Sequence, residues 1–256
     1  MNQELLKKRL QNNLNRVVAE FQAREDIICR FENPRIAYVD AEDTRFDALF
    51  ARGYNDHPKK IYRPGKSIVV HYTPYTKEFV EMCEKSKEPS KEWIRANMES
   101  LWLAMVLNRE IVKTLGEVGR LTSYLNTMLE WDPKTCREEW SHKLAAAIGG
   151  LGKMGPVGSL ICDGRYGGRA SGIITDGLYA EPAPEFSEEE ITEEIRKLTE
   201  PWLYDGPCST EMVEACPAGA ISEKGIDKFK CQDYCRSLNE STPMPEVCGR
   251  CFRFGK

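Results

Sequence analysis

The sequence predicts an α+β chain in two parts: a main domain of packed helices with a few strands, then a small cysteine-rich module. Three observations carry this. At 256 residues and 41% hydrophobic content the chain can bury a full core and still carry an appendage. Apolar residues recur at helical spacing over several long runs and at strand-like density over a few short ones. Six of the ten cysteines fall in the last 49 residues, far from the others.

From the N-terminus, Leu5, Leu6, Leu10, Leu14, Val17, Val18 and Phe21 step by three and four, which predicts an amphipathic helix over 2–23. A short strand follows at Ile36–Val39. A more buried strand, Ser67–Tyr72, is introduced by the turn at Arg63–Lys66 and stopped by Pro74. Residues 90–114 read as a long helix with Ser90 as N-cap and a buried stripe of Trp93, Ile94, Leu101, Trp102, Met105 and Val106. Further helices are expected over 116–130 and over 137–148, the second running into Gly149 and Gly150. Two strands, 159–162 and 170–175, flank a glycine-rich turn at 163–168.

The prolines at 182 and 184 make 180–187 the best linker, so domains are expected over 1–180 and 181–256. Ser187 and Glu190 form a capping box for an acidic, solvated connector helix that ends near Pro201. The cysteine module begins directly afterwards.

A net charge of −4 with no basic stripe argues against non-specific binding to nucleic acid. Met1-Asn2-Gln3-Glu4 opens a polar amphipathic run, and no stretch approaches the roughly 18 apolar residues of a membrane span. A cytoplasmic protein with reduced cysteines is therefore expected.

Two motifs invite chemistry, and one is refused. Gly150-Leu151-Gly152-Lys153-Met154-Gly155 matches G-x-G-x-x-G, but it leaves a helix and enters a strand, the reverse of a dinucleotide-binding turn. The other is the cysteine tail. Cys216-Pro217 followed by Ala218-Gly219-Ala220-Ile221 is how a ferredoxin-type segment presents one thiolate to an iron-sulfur cluster. Zinc is the competing reading, because Cys231-x3-Cys235 and Cys248-x2-Cys251 form two thiolate pairs. Cys29, Cys83, Cys136 and Cys162 are scattered and read as small buried side chains.

The run Ser141–Gly155, then Gly158–Ile161, Arg165–Arg169 and Gly172–Asp176, resembles the central segment of epoxyqueuosine reductase and its relatives. Arg63–Val70, Pro74-Tyr75 and the Cys-Pro tail fall in that family's order, so the resemblance spans roughly residues 50 to 251. It implies a nitroreductase-like α+β domain that holds a corrinoid (cobalamin), followed by a ferredoxin-like module that delivers electrons to cobalt. Reductive dehalogenases share this plan. The resemblance places Gly150, Gly152, Lys153, Gly155, Gly158, Tyr166, Gly168 and Arg169 against the corrin ring or its tail. A flavin is a second occupant that such a cavity admits.

The family carries eight cluster cysteines, and this chain departs from that pattern. Met212, Ser209 and Gly206 stand where three of them belong, and Phe254 replaces the last. The surviving set is Cys216, Cys231, Cys248 and Cys251, which implies one 4Fe-4S cluster, with Cys208 and Cys235 as thiols able to substitute for a member. Asp132 and His142 are the candidate proton donors, with Tyr75 as an alternative.

Three readings follow. The first is a corrinoid-dependent reductase of a small molecule or modified nucleoside, fed by a low-potential donor such as ferredoxin or flavodoxin. The second is a non-catalytic electron-transfer or corrinoid-handling protein. The third is a zinc-stapled binding protein.

Overall fold

An uninterrupted run of buried residues from Ser67 to Pro74 requires a strand covered on both faces, and the computed structural model places it inside an antiparallel sheet. The structure describes residues 2–84, 91–125, 132, 134–238 and 248–254. The first elements in chain order are α1 (Gln3–Gln22), β1 (Arg35–Asp40), α2 (Thr44–Ala51), α3 (Pro58–Ile61), β2 (Ser67–Pro74), α4 (Lys77–Glu84), α5 (Lys91–Gly116) and β3 (Thr122–Tyr124). Next come α6 (His142–Ile148), β4 (Lys153–Met154), β5 (Leu160–Ile161), β6 (Gly168–Thr175) and α7 (Glu188–Thr199). The module contributes α8 (Thr210–Glu214), β7 (Ile221–Ser222), β8 (Gly225–Ile226) and α9 (Lys228–Ser237), and ends in a 3-10 turn at Arg250–Phe254.

The main sheet has the order β1-β2-β6-β3, with every neighbouring pair antiparallel. Strand alternation divides its side chains between two cores. Val69 and Ile173 face α1 and α5, where they meet Leu10, Leu14, Leu103, Leu107 and Ile111. Ile68, Val70 and Ile174 face the other way, onto Phe46 of α2, Trp140 and the alanines of α6. The chain is thus mixed helix and sheet with helices on both faces of an antiparallel sheet. Gly149 closes α6 against β1, where any Cβ would meet the side chains of Ala37 and Val39 at 2.8 Å.

Several sequence expectations change. The helix expected over 116–130 is absent from its described part: α5 ends at Gly116, Gly119 takes a left-handed φ of +73°, and Thr122–Tyr124 joins the sheet edge beside β6. Ser90 and residues 126–130 lie outside the described residues. The helix expected from 137 begins at His142, capped by Ser141, because buried Trp140 stacks on Phe46 and fixes the preceding chain. The strand expected over 159–162 shrinks to a small hairpin with Lys153–Met154, outside the main sheet. In α1 the apolar stripe is buried as read except for Leu5, which is exposed.

The phase of α5 differs most. Its core stripe is Trp93, Ala96, Leu103, Leu107, Ile111 and Leu115, while Trp102 and Met105 are 47% and 59% exposed and Val106 is also exposed. The helix carries two apolar faces, and the sequence reading merged them. Nor is α7 a solvated connector. Its capping box forms as read, yet Ile195 is buried in the second core and Glu194 reaches Arg45 at 3.6 Å. Among the described residues no helix is long and apolar enough to cross a membrane.

Candidate functional site

The second face of α5 has a purpose: Leu101, Met105 and Val106 form one wall of a cavity of about 1410 Å³. That is larger than the roughly 300–1,000 Å³ typical of small-molecule pockets. The opposite walls are the N-terminal end of α6 and backbone at Gly155, Gly158, Gly167 and Gly168. The cysteine module closes another side through Lys224, Asp227, Lys228, Phe229 and Phe252.

Phe252, next to Cys251, docks the module. Its ring stacks on Tyr166 at 5.7 Å and meets Trp93 edge-on at 5.5 Å. Tyr166 in turn lies against Gly155, where any Cβ would overlap its ring. The aromatic triad therefore fixes the cavity's glycine wall and the cysteine turn relative to α5.

Cations outnumber acids around the cavity, with Arg109, Arg137, Lys143, Arg169, Lys224 and Lys228 set against Glu138 and Asp227. Arg169 is clamped to α5, donating to Ser100 Oγ at 2.9 Å, to the Asn97 carbonyl at 3.3 Å and to Asn97 Oδ1. Lys143 donates to the Gly158 carbonyl at 2.6 Å. Its side chain keeps access to the solvent in the open cavity, but the surrounding walls, with Lys228 nearby, push its pKa down to about 8. Such a field favours an anionic occupant.

Of the residues that the resemblance assigned to a cofactor, Gly155, Gly158, Gly168 and Arg169 line the cavity. Gly150, Gly152, Lys153 and Tyr166 do not. Lys153 is ion-paired with Asp205, and Gly152 packs its backbone against Ile161. Lys143, Lys224 and Lys228 were given no role by the sequence reading. Lys143 stood inside the motif block, but nothing in the sequence shows that the module's lysines face it.

The two candidate proton donors separate. Asp132 bridges to Arg137, accepts from Lys134 N at 2.9 Å and Thr135 Oγ1 at 2.8 Å, and is not part of the cavity wall. These hydrogen bonds hold its carboxyl below the ordinary range, which suits a turn former. His142 does line the cavity, but its Nδ1 accepts from Trp140 Nε1 at 3.3 Å and its ring also bonds the Leu125 backbone. Burial, with His71 nearby, pushes His142 down to about 3. Tyr75 is buried, with its hydroxyl 3.4 Å from the Ala96 carbonyl, which it donates to.

A polar chain runs from buried His71 into the cavity wall: His71 Nε2 bonds Asn108 Oδ1 at 3.1 Å, and Asn108 Nδ2 donates to Ser171 Oγ at 2.9 Å, with Asn108 and Ser171 both lining the cavity. Burial pushes His71 down to about 4, below the ordinary value near 6.5. The unfolded chain therefore binds the extra proton between about pH 6.5 and 4, so this contribution to stability is full at neutral pH and lost through that window. The thermal midpoint is expected to fall on acidification, with His71 contributing up to about 1.4 kcal/mol per pH unit. The fall should be shallower in His71→Gln; equal slopes in the two proteins would assign the acid sensitivity elsewhere.

In the module, Cys216, Cys231, Cys235, Cys248 and Cys251 gather at one locus. The Cys235 thiol hydrogen-bonds both Cys231 and Cys248. Cys251 feels Cys248, Cys231 and Cys216, in that order. The Cys235 thiol and the Arg250 N–H hold Cys248 down to about 7, whereas Cys235, which shares its proton with Cys231 and Cys248, and Cys251, which is buried, are pushed up. None of the cysteines with described side chains forms a disulfide. Among the described residues no three His, Cys, Asp or Glu side chains converge as one bound ion requires.

No protein-family model and no curated protein matches the sequence. Solved structures do. A crystal structure of epoxyqueuosine reductase with an epoxyqueuosine-modified tRNA-Tyr stem loop aligns with a TM-score of 0.50 at 13% identity, over 91% of this chain and 58% of that one. A selenomethionine-labelled epoxyqueuosine reductase and the enzyme from Bacillus subtilis align at 14% identity with TM-scores of 0.46 and 0.45. The chain spans 58% of the length of the first of these structures. Its fold is epoxyqueuosine reductase-like.

Proposed function

We propose that this chain is an iron-sulfur redox protein whose cavity holds a corrinoid beside one 4Fe-4S cluster and serves the reduction of a small molecule or modified nucleoside. The observation that carries the reading is the cavity of about 1410 Å³ whose wall includes Phe252, the neighbour of Cys251. Its size, glycine backbone and excess of cations suit a large, phosphate-bearing group. Gly158 has φ +71° and open space where a Cβ would stand, so the backbone itself meets the occupant.

When bound, the corrinoid supplies cobalt for the reduction and the cluster supplies electrons. The chain's residues hold and screen. Lys143 and Arg169 orient anionic groups, Leu101 and Met105 exclude water from the α5 side, and Phe252 packs between cavity and thiols. The fold neighbour bound to a tRNA stem loop supports a nucleoside as the substrate class. A cytoplasmic setting and a ferredoxin or flavodoxin donor fit the reduced thiols. A non-catalytic electron-transfer or corrinoid-handling role is the second reading, favoured by Asp132 lying off the cavity and by His142 having its ring engaged.

The test is retention of hydroxocobalamin after desalting of anaerobically purified protein, followed by turnover with a low-potential donor. About one corrinoid per chain is expected; retention of flavin mononucleotide with no corrinoid overturns the assignment. Lys143→Met should weaken corrinoid binding about tenfold, as expected for one lost charge-assisted hydrogen bond. Wild-type affinity should fall as pH rises through about 8, where Lys143 loses its proton, and the variant should lack that dependence.

A further inference from the structure

Three polar side chains meet between the sheet and α5, where apolar residues would pack at lower cost. His71 on β2 and Ser171 on β6 stand directly opposite each other in the antiparallel register, and Asn108 of α5 bonds both. His71 is 0% exposed, and Asn108 and Ser171 are 8% exposed. On the same face of β2, His71 Nδ1 and Thr73 Oγ1 are buried without a hydrogen-bond partner among the described residues. Such an atom costs roughly 1–3 kcal/mol, so this polar set is not the arrangement that best stabilises the core. Departures of that kind gather at functional sites.

The hydrogen bonds run in one direction. Asn108 Oδ1 can only accept, so His71 Nε2, 3.1 Å away, carries the proton. Burial of Nδ1 without a partner keeps the ring neutral. The other end of the amide, Nδ2, donates to Ser171 Oγ at 2.9 Å. That bond occupies a lone pair on Oγ and leaves the hydroxyl hydrogen for the cavity, whose wall includes both Asn108 and Ser171. Successive hydrogen bonds polarise one another, which strengthens the last hydroxyl as a donor. Arg169, two residues earlier on the same face of β6, uses Nε and Nη2 to hold α5, and its Nη1 has no partner among the described residues.

We propose that Ser171 is a binding residue of the cavity, donating its hydroxyl to an acceptor oxygen of the occupant, an amide carbonyl or a phosphate, and that Asn108 and His71 are positioning residues that fix the direction of this donation. This deepens the cofactor-binding reading of the cavity and rests on it.

Hydroxocobalamin and flavin mononucleotide are the probes, each titrated into the full chain for wild type, Ser171→Ala, Asn108→Leu, the double variant and His71→Gln, with thermal midpoints measured alongside. Ser171→Ala is expected to weaken binding of the retained probe about tenfold, and Asn108→Leu at least about threefold. The double variant should bind within about twofold of Ser171→Ala, because Asn108 acts through Ser171. His71→Gln, whose amide N–H replaces Nε2–H, should stay within about twofold of wild type. Unchanged affinity in Ser171→Ala, or losses that multiply in the double variant, overturns the proposal.

Because core substitutions can unfold the chain, the tautomer of His71 is also read in the wild-type protein by nitrogen-15 NMR. A proton on Nε2 supports the proposal; a proton on Nδ1 alone overturns it, since Asn108 would then be reversed and Ser171 would donate back to its amide oxygen. The functional reading is judged separately. Binding of flavin mononucleotide without hydroxocobalamin removes the corrinoid, while the same variants titrated with the flavin still decide the role of Ser171. Binding of neither probe overturns both.

Discussion

Gly249→Ala is expected to lower the thermal midpoint by about 6–12 °C and to cut metal uptake by the module. Gly249 lies between Cys248 and Cys251 with a left-handed φ of +69°, and a Cβ there would overlap the five-membered ring of Trp93. The conformation costs a non-glycine residue roughly 1–2 kcal/mol, and forcing a methyl group into a packed site costs about 1–3 kcal/mol more. A total near 3 kcal/mol corresponds to that shift for a chain of this size. The functional effect follows from position: the turn that carries Cys251 and Phe252 can relieve the overlap only by leaving Trp93, which breaks the aromatic docking. Pairing the substitution with Trp93→Leu separates the two causes. In that background Gly249→Ala should cost at least about 1 kcal/mol less. An unchanged midpoint with full metal content would show that the turn is not held against α5.

Glu99→Ala is expected to destabilise the protein by about 3–4 kcal/mol, about 6–16 °C in thermal midpoint, and to loosen the cavity. Glu99 is 0% exposed on α5 and accepts from Ile28 N at 3.0 Å, Cys29 N at 2.7 Å and Arg95 Nε at 2.7 Å. Truncation leaves the backbone N–H groups of Ile28 and Cys29 without this acceptor, at roughly 1–3 kcal/mol for each buried group, while half-exposed Arg95 keeps the Asp26 carbonyl. Asn97 and Ser100 on the same helix turn hold Arg169 at the cavity, so α5 must keep its register for Arg169 to stay placed. Glu99→Gln retains one acceptor oxygen and should fall between wild type and Glu99→Ala. Denaturant unfolding of the three proteins, with corrinoid retention measured in parallel, reads both effects. A cost below about 0.5 kcal/mol for Glu99→Ala would mean that solvent replaces the carboxylate.

The gap between the two readings of α5 has a simple physical origin. A 26-residue helix turns its apolar residues through every direction, and period alone cannot tell a face that meets the sheet from one that meets a cavity. Trp93 is core in both readings, whereas Leu101, Met105 and Val106 belong to the cavity. The helix expected over 116–130 failed for a related reason: local propensity extended it, but Gly119 reverses the chain and β6 offers Thr122–Tyr124 an edge to pair with.

Residues in sequence sufficed for α1, the two central strands, the capping box at Ser187 and Glu190, the helix-to-strand order around the glycine loop, and the likeness to epoxyqueuosine reductase. Those features are written locally, in periodicity, caps and spacing. Only the tertiary structure decided that Lys143, Lys224 and Lys228 face one cavity, that Phe252 packs between Trp93 and Tyr166, and that Cys235 bonds the thiols on either side of it. Each depends on segments distant in sequence meeting at one place. Spacing along a chain constrains which residues can be neighbours on one element, whereas contact between elements is set by how their faces are buried together.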